Sequence, residues 1–290
     1  MKKKFRLRPL SPKAMDHCRG ALIVSLCALL FLAGSYYTRD QMVAVSNMQQ
    51  ERELPVYCVQ TEKPQVALSF DAAWGNEDTQ NILNILAAHN VKATFFMTGG
   101  WVDSYPEDVK RIAAAGHDLG NHSQNHKNMS QLSATQQKEE IMQVHERVKA
   151  LTGIDMELFR PPYGDYDNSV IRTAKACGYL PIQWDVDSLD WKDYGADSIV
   201  RTVTENRHLG NGSIILMHNG AKYTAQALDS VITKLQEQGF ELVPISQLVY
   251  RDNYTMDSEG RQIPASLSVT GSLSLWQQAG FFAGPHTAAS

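Results

Sequence analysis

The sequence predicts an α/β protein, a distorted (β/α) barrel of about seven parallel strands preceded by one N-terminal transmembrane helix. Three observations predict it. A long uncharged run follows a basic N-terminus, short apolar runs alternate with amphipathic stretches from Val66 to Tyr250, and polar residues of catalytic type stand directly after five of those runs. A chain of 290 residues has room for one full-sized catalytic domain and short appendages.

Residues 1–19 form a basic tail carrying Lys2, Lys3, Lys4, Arg6, Arg8, Lys13 and Arg19, and Gly20 to Tyr37 then runs GALIVSLCALLFLAGSYY without a charge. Eighteen apolar residues just span a bilayer. The basic flank places the N-terminus in the cytoplasm and everything after Tyr37 outside the cell membrane. A cleavable signal competes with this reading through Ala33-Gly34-Ser35, but no A-x-A site follows, and the uncleaved anchor is preferred. Residues 38–63 are polar and weakly periodic and read as a stalk.

The catalytic domain is expected over 64–250. Strands are expected at Val66–Phe70, Lys92–Phe96, Asp118–Asn121, Leu158–Arg160, Leu180–Trp184, Ser213–Met217 and Glu241–Pro244. A helix over 134–151 carries Ile141, Val144, Val148 and Leu151 at spacings of three and four, behind a capping-box pair Ser133 and Gln136. Another over 225–236 aligns Leu228, Val231, Ile232 and Leu235. Strand-helix alternation implies parallel strands with crossover helices, in a barrel or an open doubly wound sheet. No GxGxxG or P-loop follows the first strand, which counts against a nucleotide site. Residues 251–290, rich in Ser, Gly and Ala, read as a flexible tail.

The net charge of −4 provides no field for gripping nucleic acid, and no protein partner is inferable. Cys18, Cys27, Cys58 and Cys177 show no CxxC spacing, which leaves out a zinc ribbon or redox motif. Only Cys58 and Cys177 would face an oxidising compartment, as a pair or as free thiols.

Asp71 follows VALSF, His122 follows DLGN, Arg160 follows ELF, Asp185 and Asp187 follow PIQW, and His218 follows SIILM. In a parallel barrel such strand ends converge on the face where active sites sit. Singly, each has a bland explanation: Asp71 could cap the next helix, and Arg160-Pro161-Pro162-Tyr163-Gly164 could be a rigid turn. His122 and His126, four apart, aim two imidazoles the same way, as a metal pair requires.

Taken together, SFDAAWG (69–75), NHSQNH (121–126), RPPYG (160–164), DVDSLDW (185–191) and ILMH (215–218) resemble the five motifs of the polysaccharide deacetylases, carbohydrate esterase family four with its nodulation-type domain. The resemblance covers about 64–250 and is nearest to the sporulation-type branch, which acts or is thought to act on peptidoglycan. It implies hydrolysis of the N-acetyl amide of GlcNAc or MurNAc in a cell-wall polysaccharide. Asp71 would be the general base, His122 and His126 metal ligands, and Arg160 the partner keeping Asp71 ionised. The Tyr163 backbone N–H would stabilise the oxyanion. His218 would be the general acid oriented by Asp190, with Trp191 and Leu216 walling the acetyl pocket and Asp187 supporting the loop. Asp185 has no assigned role.

One position departs from the family pattern. Where the pattern has a second aspartate as third metal ligand, this chain has Ala72. Two imidazoles plus solvent imply a weakly held divalent ion, zinc foremost and cobalt or nickel as alternatives. Asn76, Glu77 and Asp78 stand close enough in sequence to supply a replacement ligand. The rival reading is a catalytically silent protein that binds wall polysaccharide. A glycosidase using Asp185 and Asp187 would leave the histidines without a purpose.

Overall fold

The computed structural model describes residues 25, 26, 28–31 and 52–265. The basic tail, most of the expected membrane span, the stalk up to residue 51 and the tail beyond 265 lie outside the described residues. Among those described, no helix is long and apolar enough to cross a membrane. The chain divides into two units, Met1–Arg52 and Glu53–Ser290. The second contains the barrel.

Its strands are β1 (Cys58–Val59), β2 (Gln65–Ala72), β3 (Thr94–Met97), β4 (Asp118–Asn121), β5 (Leu158–Phe159), β6 (Leu180–Pro181), β7 (Val186–Asp187), β8 (Ile214–His218), β9 (Glu241–Leu242), β10 (Tyr254–Met256) and β11 (Arg261–Pro264). Seven of them form a parallel half-barrel in the order β6-β5-β4-β3-β2-β8-β7, and β9 pairs in parallel with the start of β2. All seven expected strand regions are present. The sequence reading missed β7, which it had absorbed into a motif, and the three strands of a second sheet.

Side-chain alternation along β2 divides the core in two. Val66, Leu68, Phe70 and Ala72 belong to a cluster shared with the surrounding helices. Ala67, on the other face, joins Phe96, Leu158, Ile182, Ile214 and Val243 in a second cluster that fills the lower barrel interior. Ser69 and Asp71 follow Ala67 at steps of two, so the same face turns polar as it rises toward the strand ends. The helix at Ala134–Thr152 has both capping-box hydrogen bonds and ends at Gly153. Leu228, Val231, Ile232 and Leu235 are fully buried on the helix Thr224–Glu237.

Both ends of the domain depart from expectation. Residues 52–63, read as stalk, and 251–265, read as tail, are folded: β11 pairs in parallel with β1 and antiparallel with β10. The segment at β1 bonds to β6 at one margin of the half-barrel and to the residues just before β8. Val56 N donates to Pro181 O at 2.9 Å, and Val59 N donates to Gly212 O at 3.0 Å. Val56, Cys58 and Val59 are buried there. Gly212 has φ +85, and a Cβ at this position would lie 1.8 Å from Val59 O, so only glycine permits the approach. Cys58 and Cys177 are free thiols.

Candidate active site

The pocket of about 470 Å³ at the upper ends of the strands is lined by Asp71, Trp74, His122, His126, Tyr163, Trp184, Asp187, Trp191, Leu216 and His218. Register explains the convergence. Asp71 on β2 lies opposite His218 on β8, while Ala72, Met97 and Asn121 align across β2, β3 and β4, placing His122 just past the last. Arg160 follows β5, and its N–H donates to Asn121 O at 2.9 Å.

Arg160 is fully buried. Its Nη1 donates to Asp71 Oδ1 at 2.7 Å and its Nη2 to Ser69 Oγ at 2.9 Å, while the guanidinium lies over the Phe96 ring at 4.1 Å. Burial alone would raise the Asp71 pKa. The Arg160 charge, helped by His122 and His218, outweighs burial and holds it below the usual carboxylate range.

His218 and Asp190 form the second pair. His218 Nδ1 donates to Asp190 Oδ1 at 2.7 Å, leaving Nε2 for the pocket. The buried Asp190 also accepts from His218 N at 2.7 Å and Thr224 Oγ1 at 2.6 Å. Burial disfavours the imidazolium, but the Asp190 contact and the charges of Asp71 and Asp187 outweigh it and raise the pKa above the ordinary histidine value. Trp74 stacks on this imidazole, ring centroids 5.6 Å apart.

His122 and His126 lie together, centroids 4.9 Å apart. The carbonyl of Arg160 accepts from His122 Nδ1 at 2.7 Å, so the neutral ring keeps its lone pair on Nε2. That atom is 3.5 Å from Asp71 Oδ2. Burial pulls the His122 pKa down to about 4, the neutral state a metal ligand needs. Ser123 and His126 have φ of +65 and +53, a strained loop held by Ser123 N on Asn121 Oδ1 at 3.0 Å and His126 N on Ser123 Oγ at 3.1 Å.

This donor set fits a divalent ion at two positions and leaves a third unfilled. Ala72 is fully buried in the cluster under the helices. Asn76 Nδ2 is turned to Asp108 Oδ2 at 2.7 Å, Glu77 has its carboxylate against Gly75, and neither they nor Asp78 line the pocket. Among the described residues, no group of three or more His, Cys, Asp or Glu side chains is arranged to hold a metal.

Tyr163, with φ +59, places its ring 4.5 Å from that of His126. Asp187 Oδ1 accepts from Leu189 N at 2.8 Å and shapes the loop to Trp191. Asp185 binds Ser213 Oγ at 2.9 Å and Ile214 N at 2.8 Å, a structural tie to β8 outside the pocket. Sequence reasoning missed Ser69, Trp74, Trp184 and Thr224. Ser69 was discoverable as a polar residue two before Asp71 on the same strand face, whereas the other three became relevant only through tertiary contacts.

Residues 59–182 match the family model for polysaccharide deacetylases. A peptidoglycan-N-acetylglucosamine deacetylase of Bacillus cereus is 36% identical over 193 residues, which cover 64% of this chain and 68% of the relative. The chain belongs to the polysaccharide deacetylase family. YlxY of Bacillus subtilis is also 36% identical, over 67% of this chain, which spans 60% of YlxY's length. Among solved structures, BA3943, a CE4 family pseudoenzyme from Bacillus anthracis, is 34% identical with a TM-score of 0.65, over 72% of this chain and 70% of that one. A mutant of BA3943 is described as having restored enzymatic activity.

Proposed function

We propose that this deacetylase hydrolyses the N-acetyl amide of GlcNAc or MurNAc residues in peptidoglycan, assisted by a divalent metal. The observation that carries the reading is the pair of oppositely tuned groups facing one pocket, Asp71 held below the usual carboxylate range by Arg160 and His218 held above the ordinary histidine value by Asp190. Asp71 Oδ2 takes the proton of the attacking water as the water oxygen bonds to the acetyl carbon. His218 Nε2 then protonates the sugar nitrogen as the carbon–nitrogen bond breaks, giving acetate and an amine. The Tyr163 N–H is assigned to the oxyanion, and Trp191 and Leu216 to the acetyl methyl. His122 and His126 would hold the metal, zinc foremost, with solvent completing its shell; when bound it supplies Lewis-acid polarisation of the amide carbonyl.

A second reading is favoured by Ala72 and by the likeness to a pseudoenzyme: the same pocket binds wall glycan without turning it over. Acetate release from peptidoglycan and from N-acetylglucosamine oligomers, with and without added Zn²⁺ or Co²⁺, decides between them. Metal-stimulated release that disappears in Asp71→Asn supports the enzyme. Saturable glycan binding with no release at saturating metal supports the silent protein.

Residues 20–37 are proposed to anchor the domain outside the cell membrane. Membrane fractionation with protease protection tests this, and a chain recovered entirely in the soluble fraction would overturn it.

A further inference from the structure

Trp74 stands two residues past the end of β2 and reaches the reactive pocket. Its indole lies against the His218 imidazole, with ring centroids 5.6 Å apart and planes 23° from parallel. The residue is 46% exposed, so the core gains little from it. The hydrolysis described above gives it no part.

The two segments that bring these rings together are locked backbone to backbone. Asn219, fully buried and next to His218, donates from its N to Asp71 O at 3.0 Å and from Nδ2 to Gly75 O at 3.3 Å. Its Oδ1 accepts from Thr79 Oγ1 at 3.0 Å. The Gly75 carbonyl also accepts from Trp101 Nε1 at 2.7 Å. Gly220 has φ +89, and a Cβ there would lie 2.6 Å from Trp74 O, so only glycine lets the chain after His218 pass this close to Trp74. Each ring is held from its own backbone, and the fold itself sets the stack.

The His218 ring needs such a support. Among the described residues its hydrogen bond is the one from Nδ1 to Asp190 Oδ1, which fixes an edge and leaves the ring free to rock about that line. An indole against the face removes this freedom, and its electron-rich surface favours the imidazolium over the neutral ring. Water solvates an imidazolium at its two N–H groups, so covering the face costs it little. The charged and titratable groups that face His218 are Asp190, Asp71 on β2, Asp187 on β7 and His126.

We propose that Trp74 is the positioning residue of the general acid, holding the His218 ring so that Nε2 meets the departing sugar nitrogen. This assignment rests on the deacetylase reading given above and deepens it. The proton still passes from Nε2 to that nitrogen as the carbon–nitrogen bond breaks, and Trp74 itself exchanges nothing.

The test begins with long-range ¹H–¹⁵N NMR of the full-length, histidine-labelled protein in detergent without added metal, the His218 signals being assigned by their loss in His218→Gln. Trp74→Leu, which keeps an apolar cover but no aromatic face, should lower the His218 pKa by about half a unit, and Trp74→Phe should keep most of the original value. With Zn²⁺ and N-acetylglucosamine oligomers, Trp74→Leu should lower kcat for acetate release about tenfold with little change in KM, and its decline at high pH should move to lower pH. Trp74→Phe should restore most of the rate. A His218 pKa that stays put or rises in Trp74→Leu, or an unchanged kcat, would overturn the positioning role and leave the deacetylase reading standing. If the unaltered protein releases no acetate at saturating Zn²⁺, the deacetylase reading falls and the positioning role falls with it.

Discussion

Arg160 decides what Asp71 can do. A carboxylate this deep would protonate without a partner, and the guanidinium is itself buried between Phe96 and Trp184. Arg160→Met should therefore destabilise the protein by about 3–5 kcal/mol in urea unfolding at neutral pH, because an uncompensated buried charge remains. His218 sets the opposite limit. Its folded pKa is raised, so its contribution to stability is full below the unfolded value near 6.5 and is lost as pH rises through the folded value. Acetate release that depends on the protonated ring should decline over that same upper interval, and Asp190→Asn should move the decline to lower pH. A pH–rate profile unchanged by Asp190→Asn would remove His218 from the acid role. These residue types were legible because each follows an apolar run. Their pairing was not, since Asp71 and Arg160 are 89 positions apart and Asp190 and His218 are 28 apart.

At the scale of the element, β2 carries both the site and its departure from the family pattern. Alternation sends Ser69 and Asp71 into the barrel and Phe70 and Ala72 toward the helices, with Ala72 the last residue of the strand. Ala72→Asp should raise Zn²⁺ affinity at least about tenfold by calorimetry if the strand end lets the carboxylate turn to His122 and His126. Without metal, the variant should lose about 1–3 kcal/mol, the cost of burying a polar group that lacks a partner. Unchanged zinc affinity would mean that the carboxylate stays on the helix side and the third position is closed by backbone direction. The long helices were readable from periodicity and the Ser133–Gln136 box. β7 has two residues, too few for any period, and only its pairing with β8 makes it a strand.

At the scale of the whole molecule, the two ends of the domain are sewn together beneath the barrel. Cys58 is 5% exposed there, and burial pushes its thiol pKa up to about 12. It should resist a thiol reagent in the native protein, and truncation after Tyr250, which removes β10 and β11, should make it reactive and lower the unfolding midpoint. Equal reactivity of full-length and truncated chains would show that β1 holds without its partners. Composition misjudged this region because β1, β10 and β11 are short, and β1 is joined to β11 only by a pairing across some 200 residues. By itself, the sequence determined the order of strands and helices, the strand-end positions of the site residues and the loss of a carboxylate at Ala72. Those are local matters of periodicity and residue type. The tertiary structure alone decided which charges pair, that Asn76, Glu77 and Asp78 do not line the pocket, and that Trp74 lies against the His218 ring. Such facts depend on distances between segments remote in the chain, which no local pattern encodes.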